Sequence, residues 1–140
     1  MYIADGKTNG PAFSWPDGKR IAVMVTFDYD AEFLRISRAK SKGTSIDFTD
    51  FSRGQYGPHE GLARCLDMLD TMNIKSTFFV PGAVIETYRD TVEEIHRRGH
   101  ELACHGYRHE SDPELSRDEM IKILDKSEAL LAEITGKKPA

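Results

Sequence analysis

The chain has 140 residues and a formal net charge of -4, and 39% of its residues are hydrophobic. This length predicts one domain with one core, and the composition excludes the disordered and fibrous classes. Basic residues form no dense cluster, so nucleic acids and anionic membranes are not expected as partners. No apolar run has the length of a signal peptide or of a membrane span, which predicts a cytoplasmic location.

Cysteine usage agrees with that location. The chain contains 2 cysteines, Cys65 in a leucine-rich helical pattern and Cys104 at the end of a strand-like run. So few thiols do not indicate a disulfide framework, and both side chains are expected to be buried and reduced.

Three strand-then-helix units follow an irregular segment at residues 1–20, which is rich in Pro, Gly, Asn and Asp. Apolar, β-prone runs predict strands at 21–27, 76–80 and 101–104, and the first is expected to be buried on both faces. Apolar residues at helical spacing predict three helices. They cover residues 62–72 with Asn73 as the end signal, residues 84–95 before Gly99, and the stretch from Ser116 to Gly136. Residues 35–58 are polar without a sustained period, which predicts one long loop.

The order of these elements predicts an α/β fold with a parallel sheet. A sheet of three strands would leave both of its edges open, and natural proteins avoid this or pair the edges off. We therefore expect a further C-terminal segment or a second copy of the chain to complete the sheet.

Acidic residues stand where the first predicted strand ends, in the stretch TFDYDAEF. Asp28 and Asp30 lie at alternate positions at the carboxyl end of that strand, where parallel α/β folds bind their ligands. Spacing alone leaves two interpretations open, a solvated acidic turn and a functional site. Glu32 is expected to be a loop carboxylate without a role.

Two histidine pairs share one spacing in the chain. His105 and His109 follow the third predicted strand, so they are expected to meet the acidic cluster at the same end of the sheet. His96 and His100 are separated by the helix break at Gly99, and they are interpreted as a solvated helix end and a residue leading into a strand.

One carboxylate and two imidazoles provide three ligands for a divalent metal and leave positions for water and substrate. A metal bound in this way polarises a carbonyl group and makes water more acidic, while a second carboxylate that is not a ligand can take the proton of that water. The pattern therefore favours a hydrolytic site.

The motifs TFDYDAE, STFFVPG and HGYRH, with GHE just before the last, resemble the polysaccharide deacetylase family, also called the NodB-homology domain. The resemblance implies that residues 21–140 are the N-terminal part of a distorted (β/α) barrel of that type. It implies that Asp28 is the general base. It also implies that Asp30, His105 and His109 bind a divalent metal, zinc or in some members cobalt or another ion.

The same resemblance implies hydrolysis of a non-peptide carbon–nitrogen bond, most often removal of an N-acetyl group from an amino sugar. The spaced FDYDAE and the stretch GQYGPHEG at residues 54–61 resemble a subgroup that includes cyclic-imide and ureide hydrolases and peptidoglycan deacetylase-like proteins. A small molecule or a glycan is then the expected substrate. Because later family motifs do not occur in these residues, an inactive metal- or ligand-binding domain is the alternative of another class.

Overall fold

The computed structural model describes residues 15–110 and 115–139. Its sheet has three parallel strands in chain order, β1 (Thr26–Asp28), β2 (Thr77–Val80) and β3 (Glu101–Cys104). The register pairs Asp28 with Phe79 and Val80 with Cys104. The carboxyl ends of all three strands therefore lie at one end of the sheet. The α/β class and the parallel order predicted from the sequence are confirmed.

The helices are α1 (Phe33–Ser41), α2 (Phe48–Tyr56), α3 (Leu62–Thr71), α4 (Gly82–Thr87), α5 (Arg89–Arg97) and α6 (Arg117–Thr135). A short 3-10 turn lies at Pro16–Gly18, and a π-helical turn at Gly57–Gly61 joins α2 to α3. Within the described ranges, no helix is both long enough and apolar enough to cross a bilayer.

One hydrophobic cluster joins the central strand to the helices around it. Phe78 and Val80 of β2 are at most 1% exposed, and Leu66 of α3, Ile85 of α4 and Leu131 of α6 are buried to the same degree. Each such side chain contributes roughly 1.5–3 kcal/mol when it leaves water. This core fixes β2, and β2 in turn aligns the two strands that end at the site.

The prediction of a buried strand over residues 21–27 is wrong in length and in burial. β1 begins only at Thr26, and Ile21, Val23 and Met24 are 75%, 80% and 88% exposed. Within the part of the chain that the structure describes, β1 pairs with β2 alone. With one neighbour among the described residues, the strand has no second hydrogen-bond ladder to extend it toward Ile21, and no described residue covers the apolar side chains before it.

The prediction of one long loop over residues 35–58 is also wrong, since most of α1 and all of α2 lie there. Both helices are short and carry few apolar residues, so their periodicity is weak. Local signals still form them. The Asp47 carboxylate accepts a hydrogen bond from the backbone N–H of Asp50 at 2.9 Å and caps α2.

The remaining helix predictions hold, with one correction. Asn73 has φ 52° just after α3, and Ser116 with Glu119 forms a capping box at the start of α6, which ends at Gly136 with φ 73°. The single helix predicted over 84–95 is instead α4 and α5, divided at Tyr88, whose φ of -126° is not helical.

Candidate functional site

Three side chains that the sequence placed at strand ends lie together in the structure. Asp30 follows β1, while His105 and His109 follow β3, and one ligand atom from each lies within 4.8 Å of the others. The Nε2 atom of His105 is 3.5 Å from Asp30 Oδ1, and the Nε2 atom of His109 is 3.7 Å from Asp30 Oδ2. We call this group the Asp-His-His cluster.

The donor atoms of the cluster face one another without a full set of hydrogen bonds. Asp30 Oδ1 and His105 Nε2 are buried and have no hydrogen-bond partner among the described atoms. Buried polar atoms normally have partners, so an unpartnered oxygen and nitrogen that face each other indicate room for a bound cation. Burial raises the pKa of the Asp30 carboxyl, and the two histidines oppose that rise.

The turn after β1 fixes the position of Asp30. The backbone N–H of Tyr29 donates to the carbonyl of Phe79 at 2.8 Å, which extends the pairing of β1 with β2 by one residue. Ala31 then adopts a left-handed conformation with φ 49°, and the N–H of Phe33 donates to the Asp30 carbonyl at 3.1 Å. The chain thereby reverses into α1 directly after the carboxylate.

The turn after β3 is held in a similar way. The carbonyls of Gly106 and Tyr107 accept hydrogen bonds of 3.0 and 2.8 Å from the first N–H groups of α4. The Glu110 carboxylate accepts from the N–H of Tyr107 at 3.2 Å. His109 is left-handed with φ 62°, and its carbonyl accepts a hydrogen bond from the hydroxyl of Ser37 in α1. The two histidines therefore stand on a turn that α4 and α1 hold from outside and Glu110 holds from within.

Asp28 lies beside the cluster and outside it. It is the last residue of β1 and is exposed, and its negative charge contributes to the raised pKa of Asp30. The structure thus separates the two aspartates into a carboxylate inside the cluster and an accessible one next to it.

A cavity of about 340 Å³ borders the two histidines. Its polar side contains His105, His109 and Glu110, and its apolar side comes from α6 and the residues before it. That volume is within the range of small-ligand pockets. The apolar side is formed by Leu115, Met120, Ile123 and Leu124.

Sequence reasoning missed one charged residue near the site. Glu32 was expected to be a loop carboxylate, but it is 5% exposed, and both of its carboxylate oxygens are 3.0 Å from the Tyr88 hydroxyl. The only signal was that an acid stood two positions after Asp30, and its partner lies 56 positions further along the chain.

The second histidine pair lies at the opposite end of β3 from the cluster. His96 is exposed at the end of α5, and His100 directly precedes β3, as predicted for each. His100 is buried, with 3% of its surface exposed. Both cysteines are free, as expected, but each is only partly buried.

The fold is the N-terminal part of a NodB-type (β/α) barrel. A crystal structure of a Mycobacterium smegmatis protein assigned to the polysaccharide deacetylases is 40% identical to the chain, with a TM-score of 0.79 over 93% of this chain and 46% of that one. The Puue allantoinase has a TM-score of 0.80 over 94% of this chain and 49% of its own. At 21% identity, that likeness shows the fold alone.

The chain belongs to the polysaccharide deacetylase family, whose profile matches residues 48–140. The peptidoglycan deacetylase of Helicobacter pylori is 34% identical over 121 residues, which is 86% of this chain and 40% of that protein. The chain spans between 36% and 43% of the length of the first three curated relatives it matches.

Proposed function

We propose that the domain belongs to a hydrolase that removes N-acetyl groups from the amino sugars of a polysaccharide, with a divalent metal ion held by Asp30, His105 and His109. The observation that carries this proposal is the convergence of three ligand atoms within 4.8 Å at the carboxyl ends of parallel strands. Membership of the polysaccharide deacetylase family supports the reaction.

The residues present fit such an ion. Two imidazole nitrogens and a carboxylate oxygen suit Zn²⁺, and also Co²⁺ and other divalent ions, and three protein ligands leave positions open. The unpartnered atoms Asp30 Oδ1 and His105 Nε2 would gain a partner on binding. When bound, the ion would polarise the amide carbonyl and make water more acidic.

The chain's own residues supply the remaining steps. Asp28 is accessible and lies outside the cluster, so its carboxylate would take the proton of the attacking water as a general base. The cavity beside His105 would hold the substrate. Its polar side would face the sugar and amide groups, and the apolar side from α6 would accommodate the methyl of the acetyl group.

A cyclic-imide or ureide hydrolase is the second candidate, supported by the stretches FDYDAE and GQYGPHEG. A metal- or ligand-binding domain without catalysis is the candidate of another class. A cytoplasmic location, a small-molecule or glycan substrate, and completion of the sheet by a further segment or by a second copy stay proposals.

Metal binding is tested first, on the 140-residue chain itself. Titration with Co²⁺, followed by absorption spectroscopy and calorimetry, is expected to show one ion per chain. His105→Ala and His109→Ala each remove one of three ligands and are expected to weaken binding at least tenfold. His96→Ala removes an exposed histidine at the end of α5 and serves as the matched control. Equal binding by all four proteins contradicts the proposed site.

Catalysis is tested with Asp28→Asn, on the chain and on a longer version that carries any downstream residues. Acetate release from N-acetylglucosamine oligomers is expected to fall by roughly 100-fold or more, because a general base contributes that much, while the bound metal is retained. Asp125→Asn, an exposed position on α6, is the control. Unchanged turnover in Asp28→Asn refutes the base role. Turnover of cyclic imides alone favours the second candidate, and bound metal with no turnover favours the binding domain.

A further inference from the structure

We propose that Glu32 and Tyr88 position the Asp30 carboxylate by locking the turn that carries it, so that their hydrogen bond sets metal affinity. With Tyr29 and Thr91 they form a unit that we call the Glu32 latch. The inference rests on the proposed metal site and extends it to residues that do not touch the metal.

Glu32 is a buried acid with a dedicated partner. It is 5% exposed, and the Tyr88 hydroxyl lies 3.0 Å from each of its two carboxylate oxygens. A buried carboxylate without hydrogen bonds is strongly destabilising, so this partner is what makes the burial of Glu32 tolerable. Tyr88 stands at the break between α4 and α5, and its side chain ties that point to the start of α1.

A second bond holds the other side of Asp30. The Tyr29 hydroxyl is 2.9 Å from Thr91 Oγ1, and that oxygen donates its own hydrogen to the Tyr88 carbonyl at 2.7 Å. Because Thr91 has only one hydroxyl hydrogen, Tyr29 is the donor in their shared bond. The residues before and after the Asp30–Ala31 pair are thus both bonded to the start of α5.

The turn between these two bonds is strained. Ala31 lies between Asp30 and Glu32 with φ 49°, a left-handed conformation that costs an L-residue roughly 1–2 kcal/mol. Such a residue persists only where its surroundings determine its conformation. The Glu32 latch supplies that constraint, so releasing it would let the turn relax and move the carboxylate away from the histidines.

Helix α2 packs against the backbone of Glu32. A Cβ atom at Gly54 of α2 would lie 2.5 Å from the Glu32 Cα, so the two backbones are in direct contact. This packing holds the backbone of Glu32 against α2. The latch is therefore a buried contact between α1, α2 and α5 rather than a surface hydrogen bond.

The test compares Co²⁺ binding in the wild type, Tyr88→Phe and Glu32→Gln. Tyr88→Phe removes the hydroxyl and is expected to weaken Co²⁺ binding about tenfold and to change the visible absorption spectrum, since outer hydrogen-bond partners commonly have effects of that size. Glu32→Gln keeps an oxygen that accepts from Tyr88, so its affinity and spectrum are expected to stay close to those of the wild type.

A control has to separate destabilisation of the fold from displacement of the Asp30 carboxylate. Ser116→Ala weakens the cap of α6 without touching the latch, and it is expected to lower the melting temperature but to keep the Co²⁺ spectrum and affinity. Tyr88→Phe with unchanged affinity and spectrum, in a wild type that binds Co²⁺, overturns the latch and leaves the proposed function standing. A wild type that binds no Co²⁺ overturns the metal site, and with it the latch.

Discussion

The buried imidazole of His100 is expected to make the stability of the fold depend on pH. The Nδ1 atom accepts a hydrogen bond from the Ser76 N–H at 3.2 Å, so the neutral ring carries its proton on Nε2, which is buried without a partner in the described residues. Burial lowers the pKa of His100, and the charges of Lys75 and Arg98 act in the same direction while Asp70 opposes them. Protonation of Nδ1 would also break the bond to Ser76.

The sign of the resulting pH dependence follows from linkage. The unfolded histidine titrates at about 6.5, above the folded one, so the unfolded chain binds more protons when the pH is lowered through that value. The stabilising contribution is complete above about pH 6.5 and is lost below it. Urea unfolding between pH 7.5 and pH 5 is expected to show this loss in the wild type and in His96→Ala. In His100→Asn the free energy of unfolding is expected to fall less steeply as the pH is lowered. An unchanged slope in His100→Asn assigns the effect to another group.

The strained turn at Ala31 makes a prediction that does not depend on any metal. Ala31→Gly removes the Cβ that makes φ 49° unfavourable, so the free energy of unfolding is expected to rise by up to about 1 kcal/mol. Ala39→Gly, inside α1, is the matched control and is expected to lower it by about 0.5–1 kcal/mol. Urea unfolding measures both. A loss of stability in Ala31→Gly would contradict the strain at this turn.

The capping box at the start of α6 stabilises the longest helix among the described residues. The Glu119 carboxylate accepts from the Ser116 N–H at 2.9 Å, and Ser116 Oγ accepts from the Glu119 N–H at 3.4 Å. Ser116→Ala is expected to lower the free energy of unfolding by about 1 kcal/mol, while Ser52→Ala, exposed in α2, changes it little. Equal effects in thermal unfolding would contradict the role of the cap.

Elements with end signals in their own sequence could be predicted, and those defined by neighbours could not. Asn73 and Gly136 mark helix ends because both positions need a left-handed residue. The helices between residues 33 and 56 have too few apolar residues for a readable period. The burial of residues 21–25 depends on what lies beside β1, and an apolar run contains no information about its neighbour.

The candidate site also contains residues that could be predicted from the sequence and residues that could not. Asp30, His105 and His109 could be placed together from the sequence, because parallel topology brings strand ends to one end of a sheet. The bond between Glu32 and Tyr88 could not, because an acid in a polar stretch is usually solvated and its partner is 56 positions away. Candidate ligands at strand ends are therefore predictable from topology, whereas the residues packed around them depend on tertiary structure.

The exposed apolar stretch before β1 is a surface at which we expect copies of the chain to associate. Ile21, Val23 and Met24 are 75%, 80% and 88% exposed beside a strand that pairs on one side only within the described residues. Such edges recruit other strands, and a lysine placed there discourages pairing.

The 140-residue chain is therefore expected to self-associate with rising concentration in sedimentation velocity, and Met24→Lys is expected to shift it toward the monomer with little change in melting temperature. Met68→Lys places the same charge on α3, at a methionine that is 51% exposed, and is expected to sediment like the wild type. If both variants associate equally, another surface joins the copies. If only Met24→Lys dissociates, the outer side of β1 is the place where a further segment or a second copy completes the sheet.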